Sequence, residues 1–202
     1  IGAQIRADLW GYVSPGRPAR AAELAYRDAS ISHTRNGMYG EMWVAAMLAA
    51  AFVTSDPGQV VRIGLSEIPE ESRLAEAIRN VVEWRESDAR PRRTMDRILD
   101  RYDSYSRVHA INNAAIVAAA LLWGDADFTR SVGLAVMAGL DTDCNGATVG
   151  SVVGAMVGEN RIPPHWKQPL RDRLETAIAR DSVVAISEMA DRTLALQETE
   201  RE

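Results

Sequence analysis

The chain reads as all-α, and three observations carry that reading. Apolar residues recur three and four positions apart in segment after segment. Two alanine-rich stretches are apolar on every side, as buried helices are, and no alternating apolar–polar pattern persists long enough for a strand. Residues 19–32 open after Pro18 and place Ala22, Leu24, Ala25 and Ala29 on one face of a short helix. Residues 40–52 form the first all-round apolar helix, which stops near the turn signal Asp56-Pro57-Gly58. Residues 60–68 are compatible with a short strand, and their length decides nothing. A helix beginning at Pro69 sets Leu74, Ala77, Ile78, Val81 and Val82 on one face, with its Glu and Arg side solvated. A loop around 88–91 leads to a short amphipathic stretch, 95–102. Residues 108–123 are nearly all apolar and read as a central helix. Residues 170–196 are again amphipathic and highly charged, and 198–202 are expected to fray.

Composition narrows the functional classes. A chain of 202 residues is one domain or most of one, long enough for a substantial core. Its 47% hydrophobic and 25% charged residues are ordinary for a globular protein. A net charge of −5 gives no support for general nucleic-acid binding, which favours basic surfaces. Cys144 is the one cysteine, which excludes an intrachain disulfide and a multi-cysteine zinc site. Of the longest apolar runs, 111–123 is too short to cross a bilayer, and 132–157 is interrupted by Asp141, Asp143 and Asn145. No signal peptide opens the chain, so a soluble, cytoplasmic protein is expected.

The most informative run begins at Gly139 and continues through Asp141-Thr142-Asp143-Cys144-Asn145. Two carboxylates stand two residues apart in an apolar neighbourhood, followed by Gly146, Gly150, Gly154 and Gly158. Desolvating two ionised carboxylates without a counter-charge is costly, so they call for a cation, strong donors or a solvated cleft. Hard divalent ions take oxygen ligands, and Asp-x-Asp at the mouth of a helix supplies two. The glycine stripe lies on one helical face and would let a neighbouring backbone approach closely. Asp-Thr-Asp before a helix is also what an N-cap looks like, although capping needs one such residue, not both.

This run resembles the second metal-binding motif of the ADP-ribosylglycohydrolase family, whose pattern is Gly-x-Asp-Thr-Asp followed by small residues and spaced glycines. Residues 113–166 look like that family's closing segment: an apolar helix, Gly124-Asp125-Ala126-Asp127-Phe128, the Asp-Thr-Asp helix, then Ile162-Pro163-Pro164-His165-Trp166. Near the start, Gly2-Ala3-Gln4-Ile5-Arg6 is similar to a family loop that brings small residues and an arginine to the substrate. Ser32-His33 resembles the family's Thr/Ser-His pair at a helix end, followed here by Asn36-Gly37-Met38-Tyr39-Gly40. The resemblance implies a compact orthogonal multi-helix domain and a glycosidic-bond hydrolase with a binuclear Mg²⁺ or Mn²⁺ site. Asp141 and Asp143 would be ligands, with Cys144 and Asn145 beside them. His33 would contact phosphate or ribose, and Gly2, Asn36, Gly37 and Tyr39 would line the ligand loop. The implied partner is a small-molecule or ADP-ribosylated substrate. An imidazole offers a hydrogen bond to an anionic oxygen in either tautomer, which suits that role.

Other polar positions have simpler readings. Asn-Gly at 36–37 is equally a plain turn, and Glu41 sits where the helix macrodipole favours a carboxylate. Asn112 and Asn113 are expected to bond neighbouring backbone. Asp125 and Asp127 read as caps of the following helix. His109 and His165 have no partner at metal-ligand spacing and read as structural. Trp43, Trp84, Trp123 and Trp166 read as core.

Two departures from the family pattern matter. The family commonly carries a threonine where Cys144 stands, and a thiol is a poor partner for Mg²⁺. Either Asn145 or a water would then supply the missing oxygen, or one metal position would be weakened. The family's Thr-Asp-Asp motif and a further acidic residue lie upstream of the segment matching Ile1, and neither occurs here. The chain is therefore expected to be the C-terminal part of a longer domain, with its general acid or base in an absent N-terminal segment. A binding module that keeps the nucleotide pocket without hydrolysis is the competing class. A purely structural descendant is the third, and it would have no reason to retain the Asp-Thr-Asp pair.

Overall fold

A computed structural model describes residues 1–88 and 90–199, with side chains to 197. The described chain is helical but for one small hairpin. After a single 3₁₀ turn at Gln4–Arg6 come α1 (Asp8–Tyr12), α2 (Pro18–Ala29), α3 (Asn36–Ala51), α4 (Pro57–Ser66), α5 (Arg73–Ser87) and α6 (Pro91–Arg101). Then follow α7 (Ala110–Gly124), α8 (Phe128–Met137), α9 (Thr142–Val157), α10 (Pro164–Lys167) and α11 (Ile186–Thr199). Strands β1 (Arg173–Glu175) and β2 (Val183–Ala185) pair antiparallel before α11, with Leu174 opposite Val184.

Helices α3 and α7 form the centre, as their all-round apolar sequences require. Trp43, Met47, Leu48, Ile116, Leu121 and Trp123 are fully or almost fully buried there. Around α3 pack α1, α2, α4 and α9, while α7 is covered by α5, α6, α8 and α9. Helix α9 thus touches both central helices, which seats the Asp-Thr-Asp turn on the rigid core. No described helix is long and apolar enough to cross a membrane.

Several expectations need correcting. Residues 57–66 are helix rather than strand, because Pro57 supplies a preset first turn and the Asp56 carboxylate accepts the Gly58 N–H at 2.8 Å. Helix α5 starts at Arg73 rather than Pro69, since the Ser72 hydroxyl accepts the Ala75 N–H at 3.1 Å. The amphipathic stretch 170–196 is not continuous helix but holds β1, β2 and most of α11. Arg171 and Asp172 turn left-handed at φ 50° and 52°, and Asp172 accepts from the Ser187 N–H at 2.8 Å and hydroxyl at 2.6 Å. Of the tail expected to fray, residues 198 and 199 close α11, and 200–202 lie outside the described residues.

The glycine stripe also differs from expectation. What faces Gly146, Gly150 and Gly154 is not a backbone but side chains: Val136, Val132, Phe128 and Ile162. Only Gly146 is tight, since an added Cβ would meet Val136 at 3.0 Å, whereas Gly150 and Gly154 leave 3.7 Å. Gly146 and Gly150 floor an apolar groove, walled by Phe128, Val132, Val136 and Trp166, that opens beside Asp143. Trp43 and Trp123 are core as expected, but Trp84 is only half-buried and Trp166 stands at the groove with its indole N–H on the Thr129 hydroxyl at 2.8 Å.

Candidate metal and ligand site

The turn into α9 is built from two consecutive left-handed residues, Gly139 at φ 83° and Leu140 at φ 59°. A non-glycine residue held there stores backbone strain, which the surrounding structure must over-determine. It does so through Asn113 of α7, whose Oδ1 accepts both the Asp141 N–H at 3.2 Å and the Asn145 side-chain amide at 2.8 Å. The Asn113 amide in turn donates to the His109 and Arg107 carbonyls at 2.8 and 2.9 Å. Asn112 bonds the Ser106 carbonyl at 3.0 Å, so both asparagines bond backbone as expected.

Asp141 occupies the N-cap of α9, yet its side chain makes no capping hydrogen bond. That answers the N-cap alternative, because Asp56 and Asp127 both spend a carboxylate oxygen on capping and Asp141 does not. Ligand atoms of Asp141, Asp143 and Cys144 lie within 4.8 Å of one another, at the positive end of the α9 dipole. Burial, the Asp141 hydrogen bond and the two carboxylates push the Cys144 thiol up to about 11. A thiol is a soft donor and a poor partner for a hard divalent cation. The two carboxylates therefore fit a hard divalent cation and the sulfur does not. Asn145 is buried, its amide committed to Asn113, and its Oδ1 is left without a partner. An orphaned buried acceptor of this kind calls for a donor or a cation.

The second group of candidates gathers around His33. Its ring lies between Gly2 and Gly37, where added Cβ atoms would come within 3.2 and 3.1 Å of it. Nδ1 meets the Ser32 hydroxyl at 2.8 Å, and that hydroxyl accepts from Arg6 at 2.9 Å. Burial first, with Arg6 adding to it, holds His33 below its ordinary value, so the ring is neutral near pH 7. The Ile1 nitrogen donates to the Val108 carbonyl at 3.3 Å. Asn36 Oδ1 accepts the Leu74 N–H at 3.1 Å at the start of α5, and Tyr39 packs half-buried against the core.

Sequence reasoning passed over two further residues. Asn113 was legible only as a polar residue in an apolar helix, not as the anchor of the Asp141 turn. Glu41 is fully buried one turn inside α3 rather than at its mouth, where the macrodipole reading placed it. It accepts from the Trp10 indole at 3.1 Å and stands 3.9 Å from Arg6, with burial and the neighbouring Asp28 pushing it up to about 8. His109 caps α7 through Nδ1 at 3.2 Å and stacks on Tyr105, the structural role expected. Asp127 caps α8 as expected, whereas Asp125 instead ends α7 in a left-handed conformation.

Compared with known proteins, the chain matches one family model, described as ADP-ribosylglycohydrolase, over residues 1–202. No curated protein and no solved structure gave a significant match.

Proposed function

Because the chain belongs to the ADP-ribosylglycohydrolase family, we propose that it is a metal-dependent hydrolase of a glycosidic bond in an ADP-ribose-like or ribosyl substrate. The observation that carries the reading is the Asp141–Asp143 pair: two carboxylates at a strained turn, clustered within 4.8 Å with Cys144, and Asp141 unused as a cap. Asp141 and Asp143 are the residues that would hold Mg²⁺ or Mn²⁺, with the unpartnered Asn145 Oδ1 as a candidate further donor. Such an ion, when bound, orients ribose hydroxyls and lowers the pKa of a bound water.

The remaining tasks fall to the chain's own groups. Asn113 fixes the Asp141 backbone, so the carboxylate is presented without reorganisation. His33 donates to a phosphate or ribose oxygen, and Gly2 and Gly37 leave its ring accessible. No carboxylate of the described residues is assigned as general acid or base. The test is incubation with ADP-ribosylated peptides and small ribosides, with Mg²⁺ or Mn²⁺ and with chelator. Metal-dependent release of free ADP-ribose or ribose supports the hydrolase.

Cys144 favours a second reading, a binding module of the same fold. Its protonated thiol stands where a hard oxygen donor would complete a cation shell. Tight ADP-ribose binding without turnover, under the same conditions, would select that reading and sink the first.

A further inference from the structure

We infer that Arg6 and Ser32 are positioning residues that hold His33 in a single tautomer, with Nδ1 accepting and Nε2 carrying the hydrogen beside Gly2. The ligand-side meaning of this relay rests on the assignment of His33 to the ADP-ribose pocket, but the relay itself does not.

The chain of contacts from Arg6 through Ser32 selects between the two tautomers. A guanidinium only donates, so the 2.9 Å contact from Arg6 to Ser32 uses a hydroxyl lone pair. The hydroxyl's own hydrogen is then free, and the one further partner the structure gives it is His33 Nδ1 at 2.8 Å. Accepting from the Arg6 cation polarises the Ser32 O–H and makes it the better donor of the contact, so Nδ1 is the acceptor and the neutral ring carries its hydrogen on Nε2. Arg6 is itself held in place: its Nε donates to the Asp28 carboxylate at 2.6 Å and its terminal nitrogen to the Asp28 carbonyl at 3.2 Å. Two anchoring points on α2 and one on Ser32 fix the guanidinium plane, which a lysine ammonium would not reproduce. At the far side of the ring, a Cβ added at Gly2 would sit 3.2 Å from Nε2. The glycine leaves the Nε2–H uncovered. The arrangement presents a neutral donor, suited to a phosphate or hydroxyl oxygen.

The tautomer is read directly by long-range ¹H–¹⁵N correlation of the imidazole rings at alkaline pH, with His33 assigned by loss of its signals in His33→Gln. The intact protein should show Nδ1 in the acceptor range and Nε2 in the protonated range, fully separated. Ser32→Ala should draw the two shifts together as the tautomers mix, and Ser32→Thr, which keeps the hydroxyl, should restore the separation. Arg6→Gln should give a partial mixture while leaving the fold's circular dichroism unchanged. A protonated Nδ1 or mixed tautomers in the intact protein overturns the inference, and so does Ser32→Ala with shifts unchanged. Titration with ADP-ribose then tests the ligand assignment separately. Movement of the Nε2 hydrogen, abolished in Gly2→Ala, supports both readings. A fixed tautomer that ADP-ribose leaves unmoved keeps the relay and removes His33 from the pocket.

Discussion

Removal of the Asn113 side chain is expected to loosen the candidate site without touching either of its carboxylates. Asn113→Ala leaves the buried Asn145 amide and the Asp141 N–H without their acceptor, which costs about 1–3 kcal/mol of stability. A group that orients a metal ligand typically changes affinity about 10–100-fold, so calorimetric titration with Mn²⁺ should show a loss of that size. Unchanged affinity would detach Asn113 from the site. Cys144→Thr should act in the opposite direction, because it replaces a protonated thiol with a hard oxygen donor. Tighter Mg²⁺ and weaker Cd²⁺ binding is the expected pair of results, and weaker Mg²⁺ binding would show that the position lies outside the shell. Glu41 gives a prediction about pH. Burial, then the hydrogen bond and charge of Asp28, raise it from 4.5 to about 8, with Arg6 and the Trp10 indole opposing. The folded state therefore holds a proton that the unfolded state has already lost, and stability falls as pH rises across that window. The loss approaches about 1.4 kcal/mol for each pH unit crossed. Glu41→Gln should flatten the melting temperature between pH 5 and 8, and a profile as steep as that of the parent would refute the buried proton.

Helix α9 shows how much of this architecture was legible. The cluster of Asp141, Asp143 and Cys144 could be read from the sequence because its members are neighbours at one helix mouth. Asn113 lies 28 residues from Asp141, and Arg6 lies 22 from Asp28. Periodicity carries no information about such pairings, which depend on how helices cross. For the same reason α3 and α7 were recognisable as buried, their apolar character being complete on every face, while 170–196 misled. Its apolar positions repeat at helical spacing, yet Leu170 and Ile178 are 52% and 64% exposed, so no core selects the helix there. Local bonds from Asp172 to Ser187 decide the break instead. The glycine stripe yields a test at this scale. Gly150 has 3.7 Å of room and no backbone against it, so Gly150→Ala should stabilise α9 by about 0.5–1 kcal/mol through reduced unfolded-state entropy. A melting temperature lowered by the substitution would restore the close-packing explanation of the stripe.

The whole molecule couples the site to the fold through α9, which packs on both central helices. The Asp141 turn is strained at Leu140 and places two carboxylates side by side. The two are neighbours in sequence, and the folded turn holds their ligand atoms in one fixed arrangement. A cation that binds this pair binds the native state and not the unfolded one, so its binding free energy adds to stability. At a concentration one hundred times the dissociation constant, the addition is about 2.7 kcal/mol. For a chain of this length that corresponds to a rise of roughly 5–10 °C in the melting temperature. Scanning calorimetry with Mg²⁺ and Mn²⁺ should show the rise, chelator should reverse it, and Asp141→Asn should abolish it. A parent protein whose melting temperature ignores both ions would leave the carboxylate pair without a cation to hold, and the metal-dependent reading would fail.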